Sequence, residues 1–155
     1  MTPFSFIVFF FFLFSFCKAT QDVITAAAMA RRLVKDTGIG SMLTLMDADV
    51  NEEFQGFPFG LMEYYADGCT EQDNGDLLLF MSDLQMNARN ARHAEQKVGF
   101  TIRALKEYND PIGNISTPVQ QPRLTLVGEV DHLPESLRKQ NMACFRQTHK
   151  EASAW

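Results

Sequence analysis

From Val23 the apolar side chains of Val23, Ala26, Ala27, Ala30, Leu33 and Val34 recur at helical spacing, while Arg31, Arg32 and Lys35 face outward or close the last turn. The pattern predicts an amphipathic helix that stops at Gly38. Ser41 to Met46 alternates as a strand, an acidic turn DADVNEE follows, and Phe59 to Tyr65 makes a second strand entered through Phe57 and Pro58. The loop Ala66 to Asp76 ends on the turn pair Asn74 and Gly75, just before the apolar strand Leu77 to Met81. Ser82 is placed to cap a short helix whose inward face is Leu84, Ala88 and Ala91. Val98 to Leu105 and Arg123 to Val130 read as further strands, separated by a proline-containing loop from Lys106 to Pro122. Pro134 opens a final helix carrying Leu137, Met142, Cys144 and Phe145. Strands in the middle and helices at the ends predict a mainly β domain with flanking helices.

Ahead of this pattern, Phe4 to Phe16 is a phenylalanine-dominated run followed by Cys17, Lys18 and Ala19. It reads as a secretory signal peptide over residues 1–19, cut after Ala19, leaving a single domain over 20–155. The run is shorter than the roughly 20 residues a helix needs to cross a bilayer, and no other stretch approaches that length, so no membrane span is expected. A retained anchor is the alternative, because no basic residue precedes the run. The secretory route implies an extracellular or an endolysosomal or vacuolar destination.

Charge narrows the range of partners. The chain has 14 basic and 19 acidic residues, a net charge of −5, and losing Lys18 with the signal makes it more negative. Without a basic block there is nothing to displace counterions from a polyanion, which argues against nucleic acid as a partner. Cys69 and Cys144 remain in the processed chain; they could pair, or stay as one exposed and one buried thiol. Asn114, Ile115 and Ser116 form a glycosylation sequon in the long loop.

Four constellations invite chemistry. Asp47, Asp49 and Asn51 copy the opening of a calcium loop, but Glu52 stands where the bend needs glycine and Pro58 where the bidentate ligand belongs, so a solvated hairpin turn is expected. Gly38, Ile39 and Gly40 lie between a helix and a strand, the reverse of the dinucleotide-binding order, and act as a helix stop. His93, His132 and His149 show no zinc-site spacing, and the sequence names no metal ligands. Arg89, Arg92 and His93 share a helix face, which could meet an anion or simply be solvated. No serine sits in a nucleophile elbow, and no catalytic residue is assigned.

The helix AAAMARRLV, the strand SMLTLM, the segments FQGFPFG and MSDLQMNARN, the strand RLTLVGEVDHL and the helix LRKQNMACFRQTHKEASAW together resemble the CREG (cellular repressor) proteins. These are secreted glycoproteins within the pyridoxamine 5'-phosphate oxidase-like, FMN-binding split-barrel superfamily. The resemblance runs from about Ala26 to Trp155. It implies a six-stranded antiparallel split barrel, commonly a homodimer with flavin pockets at the subunit interface. CREG relatives keep that architecture without being known as oxidases. Relatives also continue past the last helix into a closing strand, whereas this sequence stops at Trp155, so the expected barrel lacks its last strand.

Laid on this chain, the oxidase pattern is eroded. Ser82 matches the hydroxyl that holds the flavin phosphate, but the expected Arg and Lys fall on Asn87 and Ala88. Arg89 is one helical step away, about 100° round the axis. Asp83 puts a carboxylate where an anion would gain from the helix dipole, and Glu63 replaces the cations of the neighbouring strand. Haem-handling split barrels carry a histidine where this chain has Asn87. Two readings follow. One is a non-catalytic secreted or endolysosomal glycoprotein that needs no cofactor and acts through protein contacts as a homodimer. The other is an oxidoreductase holding FMN through Ser82, Asn87 and Arg89.

Overall fold

A computed structural model of the chain describes residues 22–69, 75–93, 95, 97–104, 119 and 121–154. The expected signal peptide and the Asn114 sequon lie outside the described residues. Among the described residues three helices, α1 (Val23–Thr37), α2 (Met86–His93) and α3 (Glu135–Thr148), flank five strands: β1 (Ile39–Leu45), β2 (Pro58–Asp67), β3 (Leu77–Leu79), β4 (Lys97–Arg103) and β5 (Arg123–Glu129). The strands form one antiparallel sheet, in the order β3-β2-β1-β4-β5, that curls into the half-barrel of a split-barrel fold.

Helix α1 starts where the Asp22 carboxylate accepts the Ile24 amide at 3.3 Å, and it ends at Gly38, whose φ of 72° is the left-handed cap that glycine adopts without strain. Its packed face is shorter than the periodicity predicts. Leu33 and Val34 reach the core, whereas Val23 and Ile24 are exposed. The glycine pair also sets distances: a β-carbon on Gly40 would lie 2.3 Å from the Phe100 ring, so only glycine lets β1 and the ring approach so closely.

Alternation along the strands sorts the apolar side chains into two clusters. On the inner face Met42, Tyr65, Phe100 and Ile102 pack with Val34 and Ala91, and Leu77 and Leu79 join them. Leu78 and Phe80 point the other way, where with Tyr64 and Ala66 they meet Phe145 and Cys144 of α3. Strict alternation of Leu77, Leu79 and Met81 with Leu78 and Phe80 between two opposite clusters is not a helical pattern. On a strand it follows from the pleat.

Cys69 and Cys144 form a disulfide with a Cα separation of 5.7 Å, which replaces the reading of two free thiols. The burial of Cys69, one residue beyond the Gly68 turn, brings it under α3. His149, after the last turn of α3, contacts the carbonyl of Tyr65 through Nε2 at 2.7 Å and stacks edge-on against Tyr64. Tyr65 in turn donates its hydroxyl to the Val34 carbonyl at 2.7 Å, and burial pushes that phenol up to about 12. Helices α1 and α3 are thereby tied to opposite faces of β2.

One expected strand and one expected helix change at their ends. The edge strand β3 covers only Leu77–Leu79, since Phe80 and Met81 leave the ladder. Helix α2 begins at Met86 instead of directly after Ser82, and this moves Leu84 out of the helix and into solvent at 87% exposure. Ala88 and Ala91 are buried as expected.

Candidate functional site

The segment from Ser82 to His93 lies across β1 and β2, and its first residues form a closed turn. Ser82 Oγ accepts the Leu84 amide at 3.2 Å, while the Ser82 amide donates to Gln85 Oε1 at 2.8 Å. The Gln85 half is that of a capping box, S-x-x-Q in the sequence, while the Gln85 amide goes to the Ser82 carbonyl at 2.9 Å. The turn engages the backbone amide that a phosphate would otherwise use, and it directs an Oγ lone pair to the Leu84 amide.

Gln85 connects this turn to a buried polar chain. Its Nε2 donates to Glu63 Oε2 at 3.3 Å, and Asn87 Nδ2 donates to Glu63 Oε1 at 3.2 Å and to the Met42 carbonyl at 3.5 Å. The Thr44 hydroxyl donates to Asn87 Oδ1 at 3.1 Å and accepts from Asn90 Nδ2 at 3.0 Å. Asn90 Oδ1 finally accepts the Asp47 amide at 3.4 Å. Asn87 and Asn90 are fully buried, and among the described residues no buried side-chain nitrogen or oxygen lacks a partner. Such a network is stabilising because every member is satisfied. Burial pushes the Glu63 carboxyl above its ordinary value, an effect the donors Asn87 and Gln85 oppose.

Ser82, Asn87 and Arg89 therefore do not converge. Ser82 is exposed at the turn, Asn87 faces the sheet, and Arg89, two positions on and roughly 200° round the helix, is exposed on the far side. The remaining charges are paired locally: Arg92 Nη2 lies 2.8 Å from Asp83 Oδ1 and 3.1 Å from the Asp83 carbonyl. The face shared by Arg89, Arg92 and His93 is thus divided, because His93 turns toward Asp47 and Asp49. A flavin phosphate does not fit the residues present. Its approach would meet the Glu63 and Asp83 carboxylates and an Asn87 amide whose donors are already used.

The adjoining cleft, of about 410 Å³, is apolar, lined by Met46, Phe54, Phe57, Pro58, Phe59 and Met86 among others. It offers ring and thioether contacts and no cation.

Sequence reasoning missed Thr44 and Asn90 and did not assign Glu63 and Asn87 to one network. A signal was present. Asn87, Ala88, Asn90 and Ala91 occupy the i, i+1, i+3, i+4 positions of one helix face, and small residues flanking asparagines mark that face as buried despite its polarity.

The opposite face of the same strands carries an apolar strip open to solvent. Leu43 lies between Gly60 and Gly99, its register partners on β2 and β4, and Val127 stands opposite Gly99 on β5. Leu45, Met62 and Val127 are exposed by 58, 71 and 88%. The two glycines leave this strip flat.

Comparison with known proteins agrees with the fold. No curated protein matches the chain. One solved structure superposes with a TM-score of 0.61 at 19% identity, covering 86% of this chain and 75% of that one. A protein of unknown function from Agrobacterium tumefaciens superposes with a TM-score of 0.66 at 18% identity, over 84% of this chain and 48% of the larger protein. The sequence profile described as "CREG, beta-barrel" matches residues 21–155. With that match over nearly all of the folded region and a curled antiparallel sheet beneath it, the chain belongs to the CREG β-barrel family.

Proposed function

We propose that this chain is a secreted or endolysosomal glycoprotein without catalytic activity, which acts through protein contacts as a homodimer and carries no flavin. One observation carries the reading: Asn87, at the position of an expected phosphate-binding cation, is buried in a satisfied network with Glu63 and Thr44. The leading apolar segment, the Asn114 sequon and the exposed strip of Leu45, Met62 and Val127 support it from other directions. A flat apolar strip across four strands is the kind of surface that a second copy covers.

The test is sedimentation of the purified glycosylated protein, followed by calorimetric titration with FMN. A dimer that takes up no FMN is the expected result. A yellow preparation, or stoichiometric FMN uptake by the purified chain, overturns the reading in favour of an FMN-dependent oxidoreductase.

A further inference from the structure

The acidic turn between β1 and β2 brings Asp47 and Asp49, neighbours in the sequence, against His93, the distant last residue of α2. His93 Nδ1 lies 3.6 Å from Asp47 Oδ1 and 3.5 Å from Asp49 Oδ2, and one ligand atom from each residue falls within 4.8 Å of the others. These spacings are too long for charge-assisted hydrogen bonds, which run at about 2.7–2.9 Å. They match the edge of a tetrahedron around an ion with ligand bonds of about 2.0–2.2 Å, which is roughly 3.3–3.6 Å. We propose that Asp47, Asp49 and His93 form a three-ligand site for a divalent transition-metal ion, with zinc as the ion that best suits the donors.

The donor set selects the ion class. Calcium and magnesium are held by oxygen ligands and draw little from an imidazole, and copper(I) prefers sulfur. Two carboxylates with one imidazole suit zinc, which accepts both donor types and fills a fourth position with water. The site needs little reorganisation. Asp47 is held on one side by its amide bond to Asn90 Oδ1 and on the other by the Asp49 amide donating to its Oδ1 at 2.9 Å. The Asp49 side chain is 79% exposed, so it is free to close the remaining edge. Asp47 is also the terminus of the Glu63 network, so the turn that presents the ligands is fixed by the core of the domain.

The experiment is calorimetric titration of the untagged, chelator-stripped full chain with zinc chloride, repeated with His93→Ala, Asp49→Asn and His132→Ala, each checked for folding by circular dichroism. The expected result is one zinc per chain, weakened at least about tenfold by His93→Ala and by Asp49→Asn and unchanged by His132→Ala. Cobalt(II) should bind the same site with the strong visible absorption of tetrahedral coordination, and both substitutions should abolish it. Failure of the unaltered chain to bind zinc saturably, or zinc affinity that either His93→Ala or Asp49→Asn leaves unchanged or lowers by less than about tenfold, overturns the proposal. Neither result bears on flavin or on dimerisation, since these ligands lie outside the exposed apolar strip and do not contact Ser82.

Discussion

Where α2 crosses them, at Thr44 and Glu63, the two faces of β1 and β2 reverse the usual division between core and surface. Inside, Thr44 and Glu63 are buried beneath Asn87 and Asn90, and outside, Leu45 and Met62 stand in solvent. An antiparallel sheet covered on one side ordinarily points its apolar residues in and its polar residues out. Here the inner polar groups are bonded to one another, while the outer face presents an apolar strip at Leu43, Leu45, Met62 and Val127 beside the hydroxyls of Ser41, Thr101 and Thr125. Part of that outer face shows what a cover looks like. Over Tyr64, Ala66, Leu78 and Phe80 it is closed by α3, whose Phe145 is almost fully buried. The difference teaches that the polar groups under α2 are spent on the fold's own contacts, while the apolar strip at Leu45, Met62 and Val127 is left open to solvent.

The largest expected effect concerns the covered portion. The Cys69–Cys144 disulfide spans 75 residues and pins α3 to the strand end it shields. Constraining so long a loop in the unfolded chain stabilises the fold by about 4 kcal/mol. Cys144→Ser should lower the urea-derived stability by about that amount, and reductant should do the same to the unaltered chain. A loss under about 1 kcal/mol would mean that Phe145 and His149 hold the helix without the covalent tie.

Next in size is the inner face. Asn87→Ala leaves the Glu63 carboxylate and the Thr44 hydroxyl each short of a partner, and an unsatisfied buried group costs about 1–3 kcal/mol. We expect a loss of about 3 kcal/mol in a chemical melt. The matching change on the outer face is Val127→Asp, which meets open solvent in the single chain and should alter the stability of the fold by less than about 0.5 kcal/mol. Its effect belongs to association: sedimentation of Val127→Asp should give the mass of one chain where the unaltered protein gives two. If Asn87→Ala were harmless and Val127→Asp unfolded the chain, the contrast between the faces would be reversed.

Why the sequence disclosed one face and not the other has a physical reason. Strand alternation, the Gly38 stop and the Pro134 start are local signals, and each element appears within a few residues of its expected place. The missing cations at Asn87 and Ala88 were legible too, because absence of charge needs no structure to recognise. Partners were not legible. Thr44 and Asn87 are 43 positions apart, Cys69 and Cys144 75, and neither pair has a spacing that announces contact. Leu84 was misplaced for a related reason: the S-x-x-Q turn delays the helix to Met86 and shifts the register by which its inward face is counted. His93 likewise looked like one member of a basic face until the turn at Asp47 and Asp49 came to meet it.

The smallest expected effect is also the most direct measure of how closed the inner face is. Burial raises the Glu63 carboxyl above its ordinary value of 4.5 in the folded chain, so between that value and the folded one the native state binds more protons than the unfolded state. The contribution of Glu63 to stability must then fall as pH rises through that window, and above it the cost of the buried charge is fully present. Other carboxylates titrate over the same range, so the readout is the difference between the unaltered chain and Glu63→Gln, followed by urea melts across the window. The unaltered chain should lose stability relative to Glu63→Gln as pH rises. The opposite slope would mean that the donors Asn87 and Gln85 outweigh burial and that the fold favours an anion at this position. In that case the inner face would still be organised to receive negative charge, and the closed network would have to be read as a binding site occupied by the protein's own carboxylate.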